Sequence, residues 1–133
     1  MTIELRNAPT LAPPRGFSHA SIAPAGSLVH LAGQVGSDIE GTYAEGLEAQ
    51  TERAMLNLLE ALKGAGGAPE NLVKLTYFIV GGTPDAITAF GAGLRAATKA
   101  HPVPRVPATL LYVQGLLSPE ALVEIEGVAV LGA

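Results

Sequence analysis

Between Tyr43 and Lys63 the apolar residues take on a helical spacing. Ala44, Leu47, Thr51, Ala54, Leu58 and Leu62 recur at three and four residues, and Glu45, Glu48, Glu52 and Glu60 fall largely outside that stripe. An amphipathic helix follows, ended by Gly64, Gly66 and Gly67. The period then drops to two. Leu72, Lys74, Thr76 and Phe78 alternate with Val73, Leu75, Tyr77 and Ile79, a strand over 73–80 with few charges on either face, suited to the inside of a sheet. Thr83 stands where a helix N-cap belongs and Pro84 at the first helical position, so a second helix runs to about Lys99, where Pro102, Pro104 and Pro107 stop it.

The flanks read as extended chain. Pro9, Pro13 and Pro14 make the first fifteen residues a loosely attached leader with a short strand at 2–6. A strand over 18–22, a Pro24-Ala25-Gly26 turn and a return strand over 28–32 predict a hairpin. Ala108 to Val113 is an extended passage. The last strand, 121–130, puts Val123, Ile125 and Gly127 on one face and Glu124, Glu126 and Val128 on the other. The order β-β-α-β-α-β-β lacks the regular repetition of a doubly wound sheet and predicts an α+β fold in one domain, 1–133. Two helices then cover one face of a single mixed sheet. The other face, apolar at several positions, needs a cover, which self-association would supply.

Composition removes several function classes. The chain has no cysteine, which excludes disulfides, a thiolate nucleophile and sulfur-ligated zinc, and fits a cytoplasmic protein. Eight Lys and Arg against twelve Asp and Glu give a net charge of -4 without any basic cluster, so no nucleic-acid partner is expected. Apolar runs stop well short of the roughly 18 residues of a bilayer span, and no signal peptide is read at the N-terminus. Gly33-Gln34-Val35-Gly36 lacks the lysine and spacing of a phosphate loop. His19 and His30 could approach across the hairpin, but the local pattern offers no third ligand. Neither a cofactor nor a metal is predicted. His101 falls in a turn, and Tyr77 and Phe78, on opposite faces of their strand, read as packing groups.

Phe17-Ser18-His19-Ala20, Leu31-Ala32-Gly33-Gln34-Val35-Gly36, Gln50 with Asn57-Leu58, Ala65-Gly66, Val73-Lys74-Leu75 and Val123-Glu124-Ile125-Glu126, in that order and spacing, resemble the RidA/YjgF/UK114 family of reactive-intermediate deaminases. The resemblance spans nearly the whole chain. It implies a chorismate mutase-like fold, a homotrimer and small-molecule clefts between neighbouring subunits. It also implies that water, positioned by the first glutamate of the last strand, hydrolyses a 2-imino acid to a 2-oxo acid and ammonia, while an arginine after Pro-Ala holds the substrate carboxylate. Here the glutamate is Glu124. Thr109 stands in the arginine position after Pro107-Ala108, Phe17 in that of a cleft tyrosine and Ala32 in that of a cleft serine.

Those replacements predict a greasier, less positive cleft. A threonine hydroxyl cannot present the planar, charged fork of a guanidinium. Glu124 is the candidate catalytic residue, and Arg105, four positions before Thr109, is the candidate replacement for the arginine. Phe17, His19, Ala32, Gly33, Ala108 and Thr109 are the candidate substrate-binding residues; Glu126 reads as structural. Three functions follow from this set. The first is hydrolysis of an imine, enamine or related C–N compound with Glu124 positioning water. The second is binding of a small metabolite without turnover. The third is ordinary 2-imino acid deamination with Arg105 as the anchor.

Overall fold

The computed structural model describes residues 2–132. Its strands are β1 (Glu4–Arg6), β2 (Ala20–Ile22), β3 (Gly26–Val35), β4 (Leu72–Val80), β5 (Ala108–Val113) and β6 (Val123–Gly132). Its helices are α1 (Gly46–Gly64) and α2 (Pro84–Ala100), with one 3-10 turn at Pro69–Asn71. β3, β6, β4 and β5, in that spatial order, form a mixed sheet: β6 runs antiparallel to both neighbours, and β4 parallel to β5. Parallel neighbours require a crossover, and α2 provides it. The expected α+β architecture and the interior position of 73–80 hold.

Two local expectations change. The strand over 28–32 does not return on β2. β2 pairs with β1 in a separate two-stranded sheet, and β3 pairs with β6 along nearly its whole length. Gly26, expected in the turn, is instead the first ladder residue of β3, opposite Gly132, and lies so close to the Leu131 carbonyl that no Cβ fits between them. The first helix starts at Gly46 rather than Tyr43, because Tyr43 and Ala44 are committed elsewhere: Tyr43 bridges Ser37, and Ala44 N–H donates to the Gly36 carbonyl at 3.0 Å. At α2, Thr83 holds the N-cap position with extended backbone but makes no side-chain cap bond.

One face of the sheet meets both helices. Met55, Leu58 and Leu62 of α1 and Phe90 and Ala97 of α2 pack with Leu75, Ile79, Val123, Ile125 and Ala129. Each fully buried Leu, Ile, Val, Phe or Met side chain contributes about 1.5–3 kcal/mol. The helices cross closely at Gly93, where a Cβ would overlap the Glu48 carbonyl and the Thr51 side chain. Gly66, at φ 91°, turns the chain out of α1, and Gly67 N–H donates back to the Leu62 carbonyl at 2.9 Å.

Two polar side chains tie the layers. Gln50, 3% exposed, donates through Nε2 to the Ala44 and Glu120 carbonyls and accepts from Leu122 N–H through Oε1, at 3.1, 3.0 and 2.8 Å. It joins the start of α1 to the start of β6. Asn57 donates through Nδ2 to the Val35 and Ser37 carbonyls, at 2.9 and 2.8 Å, and holds the chain as it leaves β3. These bonds are why an asparagine, poor in a helix interior, stands on α1.

Candidate functional site

The sheet face opposite the helices carries the unspent chemistry. Alternation along β6 buries Val123, Ile125 and Gly127 against the helices and turns Glu124, Glu126 and Val128 the other way, as the sequence predicts. Cross-strand register fixes their neighbours. Glu124 lies between Val35 of β3 and Phe78 of β4, and Glu126 opposite Thr76 of β4, whose partner on β5 is Thr109.

At its meeting with Glu126, β3 departs from regular pairing. Leu31 opposes Gly127 and Gln34 opposes Ile125, so Ala32 and Gly33 form a bulge against one residue of β6. The Glu124 carboxylate folds over the bulge and rests against Gly33, in the space a Cβ would fill. Glu124 is half-buried, and among the described residues its carboxylate makes no hydrogen bond or ion pair. Its lone pairs are free to hold water.

A second polar group lies at the β5 edge. Thr109 Oγ1 accepts a hydrogen bond from Lys74 Nζ at 2.9 Å. In the sequence Lys74 belongs both to the strand pattern and to the Val73-Lys74-Leu75 piece of the resemblance, and its alternation with Leu75 puts it on the face of Thr76 and Phe78. The register places Thr109 two strands from β6, at least about 10 Å from Glu124 at the usual strand spacing.

Other candidates lie on the helix-facing side. Phe17 and Ala108 line a cleft of about 490 Å³ beside β5, with Ile87, Phe90 and Leu110. Arg105, exposed, lines an adjoining cavity of about 270 Å³ with Leu75, Leu94 and Val103, on the opposite side of the sheet from Thr109 and Glu124. Tyr77 lines both spaces and meets Phe90 edge-on at 4.9 Å between centroids; burial pushes its phenol up to about 12. Within one chain, then, Ala32, Gly33 and Glu124 come together, Thr109 joins Lys74, and Phe17 joins Ala108 near Arg105.

His19 is spent on structure. Its Nδ1 accepts from Ala8 N–H at 3.0 Å, its Nε2 donates to the Ala12 carbonyl at 3.1 Å, and its backbone N–H donates to Asn7 Oδ1 at 3.0 Å. That pattern assigns the proton to Nε2 and ties the leader to β2. Its ring also meets the Phe17 ring edge-on, at 6.2 Å between centroids. Among the described residues no three His, Asp or Glu side chains converge as metal ligands, and no helix is long and apolar enough to cross a membrane.

A family model described as endoribonuclease L-PSP matches residues 7–131. No curated protein matches the chain. Among solved structures, YyfB from Yersinia pestis, a Rid-family protein of unknown function, is 32% identical with a TM-score of 0.86, covering 98% of this chain and 100% of that one. Rv2704 from Mycobacterium tuberculosis, of the YjgF/YER057c/UK114 family, is 23% identical with a TM-score of 0.64, covering 98% and 100%. TdcF from E. coli with bound serine is 21% identical with a TM-score of 0.69, covering 99% of each chain. These last two likenesses are of fold alone.

Proposed function

The chain belongs to the endoribonuclease L-PSP family, the Rid or YjgF/UK114 proteins, and from that premise we propose that it is a cytoplasmic homotrimer that hydrolyses a small imine or enamine in clefts between subunits, with Glu124 positioning the water. The observation that carries this reading is the Glu124 carboxylate, without a partner among the described residues and laid over the Gly33 bulge on the sheet face opposite the helices.

The chemistry asked of Glu124 is modest. A water held by the carboxylate attacks the C=N carbon and gives up a proton to Glu124. That proton passes from Glu124 to nitrogen to give the neutral carbinolamine; Glu124 then carries the hydroxyl proton to nitrogen, the C–N bond breaks as the C=O bond forms, and ammonia leaves. A carboxylate half-withdrawn from solvent beside a glycine has room for both water and substrate carbon.

Subunit clefts are supported by the dispersal of polar groups. Glu124 and Thr109 are too far apart within one sheet for one small molecule to touch both, and Leu28, 61% exposed, and Leu111, 40% exposed, leave apolar surface between open edges. A second copy laid against this face covers that surface and brings the two groups together. A small amino acid is held on this fold in TdcF, which supports a ligand of similar size here.

The test is ammonia release from 2-iminopropionate generated in situ and from an uncharged imine, with wild type and Glu124→Gln compared. The expected result is enzyme-dependent release of ammonia from at least one of them, reduced about 100-fold or more by Glu124→Gln. Equal rates in the variant would end Glu124's role, and saturable binding without turnover of either compound would leave a binding protein in place of a hydrolase.

A further inference from the structure

We infer that the two adjoining cavities between α2, β4 and the 101–107 segment bind a small phosphate monoester, Arg95 and Arg105 holding the phosphate and the apolar cleft beside them the organic group. This site lies on the helix side of the sheet, apart from the face proposed for hydrolysis. Charge is the first observation. The two spaces, of about 270 and 490 Å³, share Gly16, Tyr77, Leu94 and Arg95 in their walls. Those walls carry Arg15, Arg95 and Arg105, three of the chain's eight lysines and arginines, and none of its twelve acidic residues. Three other cavities along the described residues each include a carboxylate: Glu60 in one, Asp38 with Glu60 in the next, Glu70 in the third. In a chain of net charge -4, an acid-free space ringed by guanidinium groups suits an anion.

The fold fixes the two arginines of the smaller cavity. Val106 N–H donates to the Pro104 carbonyl at 2.8 Å, so Arg105 is the middle residue of a tight turn. Pro104 and Pro107 stiffen that turn, and the Pro107 carbonyl accepts from Leu75 N–H at 3.0 Å, which ties it to β4. On α2, Arg95 folds back over Gly91, where a Cβ would stand 3.3 Å from its Nη1. Its side chain thereby reaches both spaces. Among the described residues neither arginine makes a hydrogen bond to another side chain or an ion pair, so their N–H groups remain for a ligand.

The donor set gives the ligand its class. Tyr77 adds a neutral O–H from the sheet, and burial, which pushes the phenol up to about 12, keeps that proton in place. Thr98 adds no donor, because its Oγ1 donates to the Leu94 carbonyl at 2.9 Å. Two guanidinium forks and one phenol therefore face the cavities. A carboxylate has two oxygens and one charge, which a single fork satisfies. A phosphate monoester has three terminal oxygens and close to two negative charges at neutral pH, and it occupies both forks and the phenol together. Phe17, Ile87, Phe90 and Leu110 line the wider space and suit an apolar or aromatic group on the ester oxygen. Arg105, expected from sequence to anchor a substrate carboxylate, is separated from Glu124 by the sheet and serves this second site instead.

The experiment compares binding of phenyl phosphate, benzoate and phenol at about pH 7.5, where the phosphate is a dianion, by titration monitored by NMR. Wild type should bind phenyl phosphate saturably with Kd below about 1 mM, roughly tenfold or more tighter than either other compound. Arg95→Gln and Arg105→Gln should each weaken phenyl phosphate about tenfold, Tyr77→Phe should weaken it a few-fold, and Lys74→Met, on the other face of the sheet, should leave it unchanged. Thermal unfolding of each variant controls for folding, and the comparison of the three compounds on wild type needs no variant. No saturable binding of phenyl phosphate, benzoate bound as tightly, or an affinity unchanged in either arginine variant would each overturn the inference. Loss of binding in Lys74→Met would place the phosphate on the opposite face and overturn it as well.

Discussion

The Glu124 carboxylate rests where a Gly33 side chain would begin. The contact joins the last strand to the bulge of the edge strand, so one missing Cβ sets where the Glu124 carboxylate is held. Replacing Gly33 by Ala pushes the carboxylate away, and the end of a glutamate side chain can yield without moving the backbone. Gly33→Ala should therefore cost less than about 1 kcal/mol of stability while lowering imine hydrolysis roughly 10- to 100-fold, since a displacement near 1 Å is enough for that loss. Steady-state kinetics beside urea unfolding checks both halves.

Gln50 is a clamp whose three bonds have no substitute. Gln50→Leu keeps the buried volume and strands the Ala44 and Glu120 carbonyls and the Leu122 N–H. The expected loss is about 3–5 kcal/mol, read as a lower urea midpoint at nearly unchanged slope.

Tyr77 sets an alkaline limit. Its phenol, pushed up to about 12 by burial, keeps its proton in the folded chain after the unfolded chain has released it near pH 10. The folded state then binds more protons, so stability is full below pH 10 and falls by about 3 kcal/mol as pH rises to 12. Unfolding free energies across that range should show the slope in wild type and lose this component in Tyr77→Phe.

Much of this architecture could be read along the chain. The 3.6-residue period of α1, the alternation that sends Glu124 and Glu126 away from Val123 and Ile125, and the prolines that end α2 are local patterns, and local sterics and side-chain partition act on them directly. The family resemblance located Glu124 and Thr109 on the same grounds, by order and spacing. An asparagine in a helix interior already points to a hydrogen bond with a neighbouring loop, and Gln50 carries the same ambiguity, but the chain does not name their carbonyl partners, which lie as many as 70 residues away.

Sequence by itself determined most of the elements and the sidedness of β6, which sends Glu124 and Glu126 away from Val123 and Ile125. Tertiary structure alone decided that β3 abandons β2 for β6, that the resulting bulge leaves Gly33 beneath Glu124, that His19 binds the leader, and that Lys74 turns to Thr109 instead of toward Glu126. The division has one physical cause. Hydrophobic period is a property of neighbours in the chain, whereas strand partner, register and the direction of a long side chain are set by competition among groups that only folding brings within a few ångströms.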